Sequence, residues 1–216
     1  MSMIEFASAD LTAGQLNAIV KKLGGPERAL MFLQGLLIVV MVSLKLALTK
    51  AFKPSEFIGE NWSVWKGPID GDGLLVGGEE DKDVREDDIN EIDWGKKVEI
   101  VNFLRDKESY ITGEENLLRQ KQIGKIRLGG RAFLSIWGDY QAKKAEGKSE
   151  ESVLENLRLT KGVKFISFFG LILRAPDGKR CVLYLCWNGG EWFWDCDWLD
   201  GTWYAGNFSA VLASVK

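Results

Sequence analysis

A run of aromatic and β-branched residues between positions 163 and 200 restricts the fold of this chain more than any other feature. Such residues favour pleated strands, and turn signals at 176–178 and 189–190 interrupt the run twice. The pattern predicts three strands, 163–174, 180–187 and 191–199, joined by short turns. We therefore expect a Trp-rich antiparallel β-meander near the carboxyl end.

The two turns also predict the register of this meander. Pro176-Asp177-Gly178 suits a type I turn followed by a left-handed glycine, and Gly189-Gly190 suits a two-residue turn with positive φ. The predicted cross-strand pairs are Leu173 with Cys181, Leu171 with Leu183, Phe169 with Leu185, Trp187 with Trp192, Leu185 with Trp194, Leu183 with Cys196 and Cys181 with Trp198. All of these side chains would share one core face of the sheet.

The second face of the meander is also largely apolar. It would carry Ile166, Phe168, Ile172, Val182, Tyr184, Cys186 and Phe193, and then Asp195 and Asp197. An apolar second face requires a cover, which the amphipathic helices before the meander can supply.

Helical patterns precede the meander. Residues 11–35 read as an N-terminal helical hairpin, in which Gly24-Gly25 ends the first helix and Pro26 opens the second. Central helices follow: Thr112 is expected to cap a helix over 113–122, residues 131–146 form a second, and Ser149 is expected to cap a third. Helices and meander together predict an α+β fold.

Composition changes divide the chain into three predicted parts. Residues 1–50 hold the hairpin and an apolar segment, and residues 51–95 form an irregular connection that is strongly acidic from 77 onward. Residues 96–216 form the α+β domain. The segments 62–65 and 36–42 are candidates for additional strands of its sheet.

The apolar segment at 36–48 allows several interpretations. Residues 29–44 carry no charge, but this stretch is shorter than the roughly 20 apolar residues that cross a bilayer, and Lys45 ends it. A membrane span is therefore disfavoured. A buried strand, a core helix and an interfacial segment remain open.

The chain contains no histidine. This absence excludes Ser-His-Asp and Cys-His nucleophile systems and all histidine-ligated metal sites. The aspartates at 70–73 and 81–83 do not continue as a calcium loop, and no phosphate or dinucleotide fingerprint is present. We predict no catalytic residues, no cofactor and no metal site, and an enzymatic role is disfavoured.

Charge and cysteine usage indicate the compartment and exclude one class of partner. The net charge of -3 provides no overall attraction to nucleic acid, and the second helix offers chiefly Arg28 and Gln34 to base edges. Three cysteines without paired spacing fit a reducing cytoplasm. The first ten residues lack the pattern of a signal peptide, so export is not expected.

Two functions of different classes fit this sequence. The favoured one is a non-enzymatic cytoplasmic interaction protein whose N-terminal hairpin docks on a protein partner or on the chain's own carboxyl-terminal domain. The alternative is a carbohydrate-binding or glycan-acting protein that uses the aromatic and acidic sheet. A glycosidase pair formed by Asp195 and Asp197 is less favoured, because alternating acids at a strand end are usually solvated.

The candidate ligand-binding residues all lie near the end of the meander. They are Trp203, Asp195, Asp197 and Asp200. Five tryptophans lie between positions 187 and 203, and the predicted register turns four of them into the core. Trp203 is therefore the one expected to remain available to a ligand.

A resemblance rests on three segments: LTAGQLNAIVKKLGG at 11–25, WSVWKGPIDGDG at 62–73 and SAVLAS at 209–214. In these segments the chain resembles a set of uncharacterised bacterial proteins known mainly from metagenomes. The resemblance covers most of the chain and implies no activity, cofactor or partner. The chain departs from the pattern at 36–48, which is unusually apolar here and keeps an interfacial role open.

Overall fold

The structure of the chain is a computed structural model that describes residues 13–33, 44–48, 50–65 and 84–213. It confirms the α+β class, with helices and mostly antiparallel strands. The chain divides into two compact units, residues 1–41 and 42–216.

The first unit contains two helices, α1 (Ala13–Lys22) and α2 (Pro26–Leu33). Gly24 and Gly25 separate them with φ values of 86° and 113°, which a residue with a Cβ rarely adopts. The Gly25 N–H donates to the Val20 carbonyl oxygen at 2.9 Å, which satisfies one free carbonyl at the end of α1. Pro26 occupies the first position of α2, where its missing N–H is not needed.

The second unit contains eleven strands and four α-helices within the described residues. The strands are β1 (Lys45–Ala47), β2 (Ser63–Val64), β3 (Glu91–Asp93), β4 (Val98–Val101), β5 (Tyr110–Thr112), β6 (Phe165–Ser167), β7 (Leu173–Arg174), β8 (Arg180–Asn188), β9 (Glu191–Trp198), β10 (Thr202–Tyr204) and β11 (Ser209–Leu212). The helices are α3 (Pro54–Phe57), α4 (Gly113–Gln122), α5 (Gly130–Ala145) and α6 (Val153–Lys161). Val84–Asp88 and Ser149–Glu151 form 3-10 turns.

Strand β8 organises a seven-stranded sheet. β9 pairs along one side of β8, while β6 and β7 share its other side. β2 extends the sheet beyond β7, and β11 followed by β4 extends it beyond β6. The β6–β11 contact is parallel and the others are antiparallel. In this strand order, β9 and β4 are edge strands on opposite sides of β8. β1 with β3, and β5 with β10, form separate two-stranded ribbons.

The pairing of β8 with β9 follows the predicted register. Trp187 lies opposite Trp192, and the pairs Leu185–Trp194, Leu183–Cys196 and Cys181–Trp198 follow along the strands. Gly189 and Gly190 form the connecting turn with positive φ values of 58° and 95°.

The strand predicted over 163–174 is broken into β6 and β7. Ser167 pairs with Tyr184 and Leu173 pairs with Cys181, so the five residues 168–172 lie opposite only two residues of β8. The predicted pairs Leu171–Leu183 and Phe169–Leu185 are therefore wrong. This segment therefore has three residues more than the part of β8 opposite it. Because three is an odd number, the side chains before β7 lie on the sheet face opposite to the predicted one. Ile166 and Phe168 join the first core and Phe169 joins the second.

The backbone around Gly170 explains this break. The Gly170 N–H donates to the Leu128 carbonyl oxygen at 3.0 Å, and a Cβ at Gly170 would lie 2.2 Å from the Arg127 carbonyl oxygen. Leu128 also donates its N–H to the Ala210 carbonyl oxygen in β11 at 3.0 Å. The segment 126–128 thus passes so close to the broken strand that only glycine fits at position 170.

Two apolar cores lie on the two faces of the sheet. Helices α5 and α6 contribute to the first core, where Phe133 and Leu154 are buried together with Leu185 and Trp192. The second core is formed by residues from α4, the β5–β10 ribbon and the sheet, among them Leu117, Ile111, Trp203 and Val182. Each large apolar side chain buried in this way stabilises the fold by roughly 1.5–3 kcal/mol.

The predicted helix caps are partly correct. The Thr112 hydroxyl accepts the Glu115 N–H at 3.2 Å, which confirms the cap of α4. Ser149 does not cap the next helix, because it begins a 3-10 turn. Ser152 caps α6 instead, and its hydroxyl accepts the Glu155 N–H at 3.2 Å.

The described parts of residues 51–95 belong to the second unit and contribute to its core. β1 pairs with β3, β2 pairs with β7, and Trp65, Ile92 and Trp94 are fully buried. The prediction of a strand at 62–65 is thus confirmed for Ser63–Val64, whereas residues 36–42 lie outside the described residues. No helix within the described ranges has the length and apolar composition needed to cross a membrane.

Candidate functional site

The four predicted ligand-binding residues do not form a single site. Trp203 is fully buried, and its ring packs against Phe169 with 5.0 Å between ring centroids. It was expected to remain available to a ligand, but its ring cannot stack on a molecule from solvent. Asp200 is exposed in the turn between β9 and β10. Asp195 and Asp197 lie on β9, separate from the buried indole.

The two aspartates of β9 protect the free edge of this strand. The Leu199 N–H donates to the Arg180 carbonyl oxygen in β8 at 3.0 Å. The backbone N–H and C=O groups of odd-numbered residues in β9 therefore point to β8, and those of even-numbered residues point outward. The outward N–H of Cys196 donates to the Asp195 carboxylate at 2.7 Å, and that of Trp198 donates to the Asp197 carboxylate. Occupied N–H groups cannot pair with another strand.

Tyr140 protects a further part of this edge. The outward N–H of Trp192 donates to the Tyr140 hydroxyl at 3.2 Å, so α5 covers the beginning of β9. The aspartates therefore have a structural role at the edge, and they lie beside half-buried groups of the second sheet face.

Burial and negative charge raise several pKa values on this face. Burial, with a further contribution from Asp195, raises the pKa of Tyr184 to about 12 and raises the pKa of Cys186. Burial and the neighbouring Asp195 also raise the pKa of Asp197 against the hydrogen bond from Trp198. The tyrosine hydroxyl and the thiol therefore stay protonated at neutral pH, and neither is an activated nucleophile.

The tryptophans of the meander do not form an exposed stacking surface. Trp192 is buried, and Trp187, Trp194 and Trp198 are half-buried. Each half-buried ring has a neighbour: Arg158 lies 4.1 Å from the Trp187 centroid, Phe57 lies 4.8 Å from Trp194, and Trp62 stacks on Trp198 at 6.4 Å. The exposed aromatic residue of β9 is Phe193, at 44% exposure.

The three cysteines and the described acidic groups were candidates for redox or metal chemistry. All three cysteines are free, and a hydrogen bond with Cys196 together with burial raises the pKa of Cys181. In the described part of the chain, no group of three or more Cys, Asp or Glu side chains could hold a metal ion. The aspartates at 70–73 and 81–83 lie outside that part.

The opposite edge of the sheet, formed by β4, is left open by the described residues. The Ala213 N–H donates to the Lys97 carbonyl oxygen at 2.7 Å. The backbone groups of Lys97, Glu99 and Val101 therefore point to β11, and those of Val98 and Ile100 point outward. Across the described residues, no hydrogen bond reaches these outward groups of Val98 and Ile100. An open edge of this kind is a template for another strand.

A groove of about 390 Å³ lies beside this open edge. Its apolar lining includes Val98 and Val163, which are buried, and Ile100 and Phe208, which are half-buried. Lys161 lies at the rim with its side chain exposed, where α6 ends. The volume falls within the range of natural ligand pockets.

The sequence did not predict this groove, because strand order decides whether a strand lies at the edge of a sheet. The segment 98–105 begins with an apolar pattern that fits a central strand as well as an edge strand. The lining of the groove also brings together residues from 98–101, 161–163 and 208, which are far apart in the chain.

Comparisons with protein families, with curated proteins and with solved structures found no match for this chain.

Proposed function

We propose that this chain is a non-enzymatic interaction module that binds an extended peptide segment along β4. The contrast between the two sheet edges carries this proposal: three of the four outward N–H groups of β9 are occupied, whereas β4 offers Val98 and Ile100 beside an apolar groove. Addition of a strand to a sheet edge is a common mode of peptide recognition.

The binding energy would come from main-chain bonds and from the groove. An added strand forms hydrogen bonds with the N–H and C=O groups of Val98 and Ile100, each worth about 0.5–1.5 kcal/mol. Alternate side chains of the peptide then point into the groove, where they bury apolar surface against Val163 and Phe208.

The preferred partner is an apolar, β-branched segment that carries a carboxylate. β-branched side chains suit a pleated strand, and a carboxylate complements the exposed ammonium of Lys161 at the rim. A second copy of this chain is a weaker candidate, because symmetric pairing of two β4 strands places one Glu99 directly opposite the other. Like charges at directly opposed positions destabilise a sheet.

The helical hairpin is proposed as a second docking element. α1 and α2 belong to a compact unit of their own, and Ile19 on α1 is 40% exposed. An exposed aliphatic side chain on a small helical unit suits contact with another protein. Ile19→Asp would test this element independently of β4.

A cytoplasmic, non-enzymatic role agrees with the chemistry of the chain. The three cysteines are free thiols, which suits a reducing compartment. The absence of histidine removes the commonest general base, and the described tyrosine and cysteine groups with shifted pKa values remain protonated.

The test measures binding of a short peptide of alternating valine and threonine that ends in aspartate. The full chain should bind it, whereas Ile100→Pro, which removes one outward N–H, should weaken binding by up to about tenfold. Lys161→Glu should weaken binding about tenfold, equal to about 1.4 kcal/mol. Equal affinity for the unmodified peptide and for one with N-methylated valine amides would contradict strand addition.

Carbohydrate binding is the second candidate, and one observation favours it. Phe193 is exposed beside Asp195, on the face where Phe165 and Tyr184 stack with centroids 4.6 Å apart. Aromatic faces and carboxylates together suit sugar rings and hydroxyls. Tryptophan fluorescence titrated with a glycan panel tests it, and a sugar response that Phe193→Ala abolishes would favour it over the interaction role.

A further inference from the structure

Gly138 occupies the interior of α5 without a packing reason among the described residues. A Cβ at this position would meet no heavy atom within 4 Å. Glycine inside a helix costs about 1 kcal/mol relative to alanine. The helix therefore loses stability at this position, and the surface beside it gains open space.

That space is part of a second groove, of about 210 Å³. The α5 side of the groove has residues at helical spacing, and Ala47 and Lys50 form the facing wall. The lining residues are Ala47, Lys50, Arg131, Leu134, Ser135 and Gly138. All of them belong to the second unit.

Arg131 is held rigidly at one end of this groove. Its guanidinium donates to the backbone carbonyl oxygens of Glu86 and Asp87, both at 2.9 Å, and to that of Leu48. These acceptors are neutral carbonyl oxygens, so the three bonds fix the rotamer of the guanidinium without forming an ion pair. Of its five N–H groups, these three bonds leave two for a further acceptor.

Two further polar groups complement this arginine. Lys50 is a second basic residue that lines the groove, on the facing wall, and it is exposed. The Ser135 hydroxyl is buried and has no hydrogen-bond partner within the described part of the chain. Leu134 and Ala47 supply apolar surface between these groups.

We propose that this groove binds a small carboxylate with a short apolar tail. The carboxylate meets Arg131 and Lys50, as oxyanions do at paired cations, and the Ser135 hydroxyl donates to it. The tail lies along Leu134 in the space left by Gly138. This site is separate from the β4 groove and does not depend on the function proposed for that edge.

The test is a calorimetric titration of the full chain with butyrate and, separately, with inorganic phosphate. Butyrate should bind and phosphate should bind more weakly. Gly138→Leu should fill the groove and weaken butyrate binding at least about tenfold, while Lys50→Glu should weaken it by a similar factor. Ser135→Ala should weaken it severalfold.

Folding controls keep this test decisive. Gly138→Leu and Gly138→Ala should both unfold at or above the temperature of the original chain, because glycine is the poorer helix former. Binding of the β4 peptide should be unchanged in both. Absence of butyrate binding, tighter binding of phosphate, or unchanged butyrate binding by a folded Gly138→Leu chain would each overturn the proposal.

Discussion

The carboxylate of Glu86 accepts the backbone N–H of Ala132 at 2.9 Å and thereby closes the amino end of α5. α5 has no capping side chain of its own, because Gly129 occupies the position before the helix. A Cβ at Gly129 would lie 2.6 Å from the second carboxylate oxygen of Glu86. A buried anion from a distant 3-10 turn thus satisfies a free helix N–H and faces the positive end of the helix dipole.

We expect Glu86→Gln to destabilise the chain by about 1–2 kcal/mol, because it removes the charge at the helix end while keeping the side-chain size. Urea unfolding followed by circular dichroism measures this change. Asp88→Asn in the same turn is the control, because Asp88 is exposed. An equal loss in both variants would contradict the role assigned to Glu86.

Gly170→Ala should destabilise the chain by roughly 2–4 kcal/mol. The added Cβ would lie 2.2 Å from the Arg127 carbonyl oxygen, and backbone atoms cannot move aside cheaply. Gly206→Ala is the matched control, since a Cβ there meets nothing within 4 Å. The measurement is the thermal unfolding midpoint of the two variants, which should be lower for Gly170→Ala. Similar midpoints would show that the backbone approach at Gly170 is not tight.

Replacing both Asp195 and Asp197 with alanine should promote self-association through β9. The double variant frees the outward N–H groups of Cys196 and Trp198, which then become available to another strand. Sedimentation velocity over a range of concentrations measures the effect. A double alanine variant at Asp106 and Asp200, both exposed, changes the net charge equally and should remain unaffected. Association of both variants alike would assign the effect to charge alone.

The ion pair of Glu108 with Arg119 should make stability depend on pH in acid. The Glu108 carboxylate accepts bonds from both terminal nitrogens of Arg119, at 2.5 and 2.8 Å, and from the Arg105 N–H at 2.8 Å. The hydrogen bond from Arg119 is the largest cause that lowers the pKa of Glu108 from 4.5 to about 2. The folded state therefore gains stability from this carboxylate above about pH 4.5 and loses it as the pH falls toward 2.

Comparison with Glu108→Gln measures this contribution. The original chain should be more stable than the variant at neutral pH, and the difference should shrink between pH 4.5 and 2. A difference that stays constant down to pH 2 would contradict the lowered pKa.

Features that depend on neighbouring residues could be predicted from the sequence. The cap of α4 requires only Thr112 and an N–H three residues later, and the register of β8 with β9 follows from the Gly189-Gly190 turn between them. The α+β class follows from the periodicity of the same local patterns. Turn and cap energies act over a few residues, so a single sequence contains enough information for them.

Features that depend on distant residues were decided by the tertiary structure alone. The strand before β8 breaks because residues 126–128 approach Gly170, and that break reverses the face on which Phe169 lies. Trp203 is buried because the β5–β10 ribbon packs its inner face into the second core. Strand order leaves β4 open while β9 is protected by its own aspartates and by Tyr140. Such contacts depend on which distant segments meet, and a local pattern of apolar and polar residues is compatible with several of these arrangements.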